Sequence, residues 1–307
     1  MKSKWIRIAI GRKVDEWLAS IEDRQLRAMV KDNVIVTGGC IVSMLLGEPV
    51  NDFDLYLRDK ACAKALANYY VAKFKANPPQ SFKCSGKSVD IVVDEEDGRI
   101  KIVVKSSGVA GESGSDSYEY FEQHSTDEGQ ANFVDSVLAD AKDTVDPDKG
   151  KPKYRPTFMS ANCITLSNKV QVVVRFYGEP EQVHSSYDFV HCTCWWDSRD
   201  RKLHLPPAAL ESILAKDLRY LGDSKYPICA MVRCRKFIKR GWNITAGQML
   251  KIAWGISELN LKDIKVLEDQ LIGVDTAYFL QLIEMLRTKD PSTVDGSYLM
   301  EVIDKIF

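Results

Sequence analysis

Gly38 and Gly39 stand about a dozen residues ahead of Asp52 and Asp54 in the stretch VTGGCIVSMLLGEPVNDFDLYLRD. Glycines where a strand turns into a helix carry no Cβ, so a phosphate can come close to backbone N–H groups at the positive end of the helix. Asp52 and Asp54 alternate with Phe53 and Leu55. On a strand this places both carboxylates on one side and the apolar pair on the other. Two such carboxylates repel without a cation, and hard oxygen ligands beside phosphate suit Mg²⁺ or Mn²⁺. The chemistry implied is displacement at a phosphorus of a nucleoside triphosphate (NTP), with the phosphates over Gly38 and Gly39 and the metal on the aspartates.

The elements that must hold these residues are readable from periodicity. Val14, Trp17, Leu18, Ile21, Leu26 and Met29 recur at helical spacing and predict one amphipathic helix from Val14 to Lys31. NVIVT is a short β-branched strand ended by the diglycine, CIVSMLLG a short helix stopped by Gly47, and NDFDLYL a half-buried strand. DKACAKALANYYVAKFKAN is a helix closed by Pro78 and Pro79. SVDIVVDEEDGRIKIVVKSS predicts a hairpin around Asp97 and Gly98, NCITLSNKVQVVVRFYG a second at Ser167 and Asn168, and SSYDFVHCTCWW a further strand. From Pro206 onward the pattern is helical.

The residues GGCIVSMLLGEPVNDFDLYL resemble the signature of the DNA polymerase β-like nucleotidyltransferase superfamily: paired glycines, a spacer, then apolar-Asp-apolar-Asp-apolar. The resemblance implies an α+β fold, with an N-terminal nucleotidyltransferase mixed sheet and flanking helices over residues 1–205 and a C-terminal all-α lobe over 206–307. It also implies a third carboxylate on a neighbouring strand that completes the metal site and acts on the attacking hydroxyl. Asp188 in SSYDFVH and Asp90 in SVDIVV both have the required flanks, with Asp188 preferred. Two stretches, SANCITLSNKVQVVVRFYGEPEQVHSSYDFVH and YPICAMVRCRKFIKRGWNITAGQMLKIAW, resemble nucleotidyltransferase-like proteins of large bacteriophages. The expected activity moves a nucleoside monophosphate from an NTP to a hydroxyl acceptor, RNA first among them, in the cytoplasm of a host cell. Alternatives are an inactive nucleic-acid-binding or phage assembly module, or a nucleotidyltransferase that modifies protein. tRNA nucleotidyltransferases and bacterial poly(A) polymerases carry Arg-Asp after the glycines, where this chain has Val42 and Ser43, and LEDQLIG lacks the arginine of their base-selecting motif, so CCA addition is not expected.

RCRKFIKRGW supplies Arg233, Lys236 and Arg240 on one helical face, with Trp242 following. These cations are expected to bind the triphosphate or a nucleic-acid acceptor, with the aromatic ring stacking a base. Ser43, one turn after Gly39, and Thr37, just before Gly38, are candidate phosphate contacts. HCTCWWD lacks the two-residue gap of paired zinc cysteines, so zinc is not expected there, and His184 and His191 read as structural.

Charge is unevenly spread over the 307 residues. Residues 111–150 hold 11 acidic against 2 basic residues, which leaves +8 on a chain whose net charge is -1. That Gly-, Ser- and Asp-rich segment predicts a flexible surface insertion with at most a short helix at ANFVDSVLADAK, on a mildly basic body suited to anionic partners. Eight cysteines scattered through apolar segments fit a reducing compartment. No run has the length of a membrane span and no secretory signal precedes the first helix, so an intracellular protein is expected.

Overall fold

The computed structural model describes residues 2–77, 88–96, 98–107, 153–159, 162–222 and 224–261, with scattered positions between 263 and 304. The acidic insertion, Pro78, Pro79 and Asp97 lie outside the described residues.

The N-terminal stretch is helical from Ser3 and splits where one helix was expected. α1 (Ser3–Ala19) buries Ile6, Ile10, Val14 and Trp17, and α2 (Arg24–Lys31) buries Leu26 and Val30. The break has a local cause. The Asp23 side chain accepts hydrogen bonds from the backbone N–H groups of Gln25 and Leu26, and so starts a new helix. Met29, assigned to the buried stripe by a continuous helix, is exposed instead.

β1 (Val34–Thr37), α3 (Gly39–Leu46), β2 (Phe53–Leu57) and α4 (Lys60–Ala76) follow as their sequence patterns predict. Gly47 ends α3 at φ 74°. β3 (Ser88–Glu96) and β4 (Arg99–Ser107) form a separate two-stranded antiparallel sheet. The main sheet has seven strands in the order β5-β6-β7-β2-β1-β8-β9, with β5 (Pro156–Met159), β6 (Cys163–Leu166), β7 (Val170–Tyr177), β8 (Trp195–Asp197) and β9 (Leu203–His204). β1 lies antiparallel to β2 and to β8, whereas β2 runs parallel to β7, so the sheet is mixed.

Alternation decides which chemistry each face receives. Val34 pairs with Leu57 and Val36 with Leu55, and all four are buried in the large core beneath α1 and α4. On the other face Ile35 and Tyr56 form a smaller cluster with Val173 and Val183, and Thr37 stands opposite Asp54 at its end.

The segment SSYDFVHCTCWW is not one strand. A capping box between Glu179 and Gln182 starts α5 (Pro180–His184), a loop carries Tyr187 and Asp188, a 3₁₀ turn spans Val190–Thr193, and only Trp195–Asp197 is extended. Beyond β9 come α6 (Pro207–Ala215), α7 (Pro227–Lys239) and α8 (Ala246–Ser257), the first two opened by proline at a first-turn position. The molecule is α+β, a mixed sheet with flanking helices followed by C-terminal helices. Among the described residues no helix is long and apolar enough to cross a membrane.

Candidate functional site

β1 enters α3 through Gly38, whose φ of 86° lies in the region that side-chain-bearing residues avoid. A β-carbon on Gly38 would also lie 3.3 Å from Oδ2 of Asp54 and 3.7 Å from the Tyr187 hydroxyl. No side chain caps α3, and a β-carbon on Gly39 would meet nothing within 4 Å. The start of the helix is therefore open where Gly39 faces out and closed by an acid where Gly38 turns. The bend and the Asp54 carboxylate meet as the spacing predicts.

Asp54 is half-buried on β2, with Asp52 just ahead of the strand. Burial pushes its carboxyl well above the usual range, the Asp52 charge adds to this, and Lys236 and Arg233 oppose it. A buried acid disfavoured by its neighbour's charge, which two cations only partly relieve, joins that neighbour in a donor set suited to a divalent ion. Below them lies a polar layer. Thr37 Oγ1 is 2.9 Å from His184 Nε2 and donates to the Cys194 carbonyl oxygen at 2.9 Å. Thr37 is fully buried, so its hydroxyl serves the scaffold and not a phosphate. Burial holds the His184 imidazole down at about 4, neutral at physiological pH, and pushes the Tyr56 and Tyr187 phenols up.

The third carboxylate departs from expectation. The strands paired with β2 are VIVT and VQVVVRFY, and neither contains an acid. The residue beside Asp54 on β7 is Gln171. Asp90 sits on β3 of the separate sheet, paired in register with Lys105. Asp188 lies in the loop after α5, 4% exposed, where Ser224 Oγ donates to its Oδ1 at 2.7 Å and the Arg233 guanidinium donates to its Oδ2. Asp188 thus anchors Arg233. That pairing joins residues 45 apart, and no local pattern announces it.

The cations of α7 divide by partner. Arg233 holds Asp188, and the charge of that carboxylate in turn raises the guanidinium pKa. Arg240 caps α7 and binds Glu48 at 2.5 Å, reaching Ser43 Oγ at 3.4 Å. Ser43 is 6% exposed and so meets Arg240 instead of open space. Lys236 is exposed and acts on Asp54 through its charge. Trp242 is 2% exposed, packed 4.3 Å from the His191 ring, and is unavailable to stack a base. The seven described cysteines are unbridged.

A protein-family profile described as Gabija anti-defense 2 family protein matches residues 9–216, more than half of the chain. No curated protein matches it in sequence. Among solved structures, the Thermotoga maritima CCA-adding enzyme complexed with tRNA has a TM-score of 0.40 and 11% identity, over 95% of this chain and 68% of that one. A CCA-adding enzyme with CTP has a TM-score of 0.40 and 13% identity, over 91% and 50% of the two chains. The Bacillus stearothermophilus CCA-adding enzyme in complex with CTP has 0.37 and 14%, over 87% and 50%. The chain thus spans between half and about two thirds of those enzymes. Similarity this low assigns no residue and no activity.

Proposed function

The chain belongs to the Gabija anti-defense 2 family, and on that premise we propose that it opposes the Gabija defence as a metal-dependent nucleotidyltransferase of the polymerase β-like type. It moves a nucleoside monophosphate from an NTP to a hydroxyl acceptor and releases pyrophosphate. The observation that carries the reading is the approach of the Gly38 bend to the Asp54 carboxylate, with open space in front of Gly39. The acceptor oxygen attacks the α-phosphorus, the bond to the bridging oxygen breaks, and the hydroxyl proton leaves to solvent. Asp52 and Asp54 would hold a divalent ion, Mg²⁺ or Mn²⁺, which would supply charge neutralisation of the phosphates. Backbone N–H groups at the start of α3 seat the phosphates, Lys236 adds a mobile positive charge, and Asp188 aims Arg233 toward the Asp54 side. RNA is the first acceptor to try, because Arg235, Lys236 and Lys239 are all exposed on α7 beside the site. A phage-encoded protein working in the host cytoplasm fits the family name.

A second reading is favoured by the acid-free strands beside β2 and by the ion pair that occupies Asp188. In it the site binds metal and NTP, or nucleic acid, without transferring anything. One experiment separates the two. The protein is incubated with Mg²⁺ or Mn²⁺ and each α-labelled NTP, with host RNA or with extract of cells carrying the defence, and label and pyrophosphate are measured. Transfer that disappears in a folded Asp54→Ala variant supports the enzyme. Bound NTP with neither label transfer nor pyrophosphate supports the second reading.

A further inference from the structure

At the far end of β1 from Gly38, the β8–β9 hairpin gathers three groups that the nucleotide site does not use. A ligand atom from each of Asp197, Asp200 and His204 lies within 4.8 Å of the other two. We infer that these residues form a second metal site, for a divalent transition ion with Zn²⁺ the best match.

The hairpin fixes the spacing. Trp195 pairs with His204 across the ladder, and the Asp197 N–H donates to the Lys202 carbonyl oxygen at 3.0 Å, so Asp200 sits at the tip of the turn between them. His204 stacks on Trp195, with ring centroids 4.6 Å apart and planes 6° from parallel, which fixes the plane of the imidazole. Its Nε2 is withdrawn from solvent and has no hydrogen-bond partner, although Asp200 Oδ2 lies 3.4 Å away. A solvent-shielded imidazole nitrogen 3.4 Å from a carboxylate and hydrogen-bonded to nothing is a position that a cation would satisfy.

The acids are oriented from behind. Arg58 donates to Asp197 Oδ2 at 2.5 Å and the Arg199 N–H to Oδ1 at 2.7 Å. The Lys202 N–H donates to Asp200 Oδ1 at 2.8 Å, while Lys202 Nζ stays 3.8 Å from Oδ2. An ionised carboxylate has about four lone-pair sites, so both acids keep capacity for a metal while these donors act as the outer shell common to bound carboxylates. Arg58 also binds Glu179, which shares its charge and softens its repulsion of an incoming ion. One imidazole and two carboxylates make a mixed nitrogen and oxygen set, which favours Zn²⁺ or Mn²⁺ over Mg²⁺. Three protein ligands leave a coordination position for water.

The test uses the full chain stripped with a chelator and titrated calorimetrically with Zn²⁺, Mn²⁺ and Mg²⁺. One equivalent of Zn²⁺ is expected, weakened about 100-fold by His204→Gln and by Asp200→Asn, on the scale that disturbing a ligand shell costs. Asp54→Asn, at the other end of the sheet, should leave it unchanged. Co²⁺ in place of Zn²⁺ should give d–d bands without thiolate charge transfer. Melting of the metal-free variants at the wild-type temperature establishes that they fold. Zn²⁺ affinity equal in His204→Gln, a thiolate band with Co²⁺, or no uptake of Zn²⁺ by the wild type would overturn the assignment.

Discussion

The Gly38 backbone and the Asp54 carboxylate approach so closely that a β-carbon on the glycine would lie 3.3 Å from Oδ2. Gly38 and Gly39 therefore answer to different constraints. Gly38→Ala meets both a φ of 86° and the acid, and is expected to destabilise the fold by about 1–2 kcal/mol. Gly39→Ala has room for its methyl group and adds helix propensity at the start of α3, so stability should hold or rise slightly. Its effect should appear as weaker NTP binding. Thermal melts set beside nucleotide titrations of the two variants check this contrast.

Asp54→Asn should separate stability from ligand binding in the opposite way. In the absence of a cation the raised pKa means that burial and Asp52 disfavour the charged form, so an amide relieves the fold. A melting temperature equal to the wild type or about 2–4 °C higher is expected without metal, the size of a 1 kcal/mol gain for a chain of this kind. Mg²⁺ with NTP should raise the wild-type melting temperature and leave that of the variant where it was.

Asp188 should behave as half of an ion pair and not as a metal ligand. Asp188→Ala leaves Arg233 without its anion in a largely closed setting. Removing one partner of a buried pair costs about 3–5 kcal/mol, and the 38% exposure of the Arg233 side chain lowers the expectation to about 2 kcal/mol. A double-mutant cycle with Arg233→Ala should give a coupling of at least about 1 kcal/mol. Metal titrations of Asp188→Asn that match the wild type would agree with this role.

One buried and one half-buried histidine set an acid limit on stability. Burial holds His191 at about 3 and His184 at about 4, against about 6.5 in the unfolded chain. Both pKa values are depressed, so the unfolded state takes up protons first. Stability is full above pH 6.5 and is lost as pH falls from there toward 3. At pH 5 the loss from His191 alone is about 2 kcal/mol. His191 is fully buried among Phe189, Phe237 and Trp242. His191→Phe should therefore flatten the denaturation midpoint between pH 5 and 7.

Much of this arrangement can be read in one dimension because it rests on short-range rules. β1, α3 and β2 follow from a β-branched run, two glycines and a period of two, and those rules also bring Asp54 to the bend. The segment from Pro180 to Thr193 defeats the same rules. Its aromatic and cysteine content favours a strand, while Glu179 and Gln182 form a capping box that starts a helix, a signal present in GEPEQ. α2 was hidden in the same way by the Asp23 cap. Asp188 with Arg233, Ser43 with Arg240 and Trp242 with His191 are long-range pairs, and the sequence carries no mark of which cation will find which acid. The set of Asp197, Asp200 and His204 depends on a hairpin that folds the stretch from Asp197 to His204 back on itself.

Metal-dependent NTP binding is shared by the catalytic and the non-catalytic reading, and calorimetry with a non-hydrolysable NTP analogue measures it most directly. The wild type is predicted to bind one equivalent in Mg²⁺, to lose that binding in chelator, and to lose it again in folded Asp52→Asn and Asp54→Asn. Binding that persists without a divalent ion or survives both substitutions, or no binding by the wild type, would contradict the site.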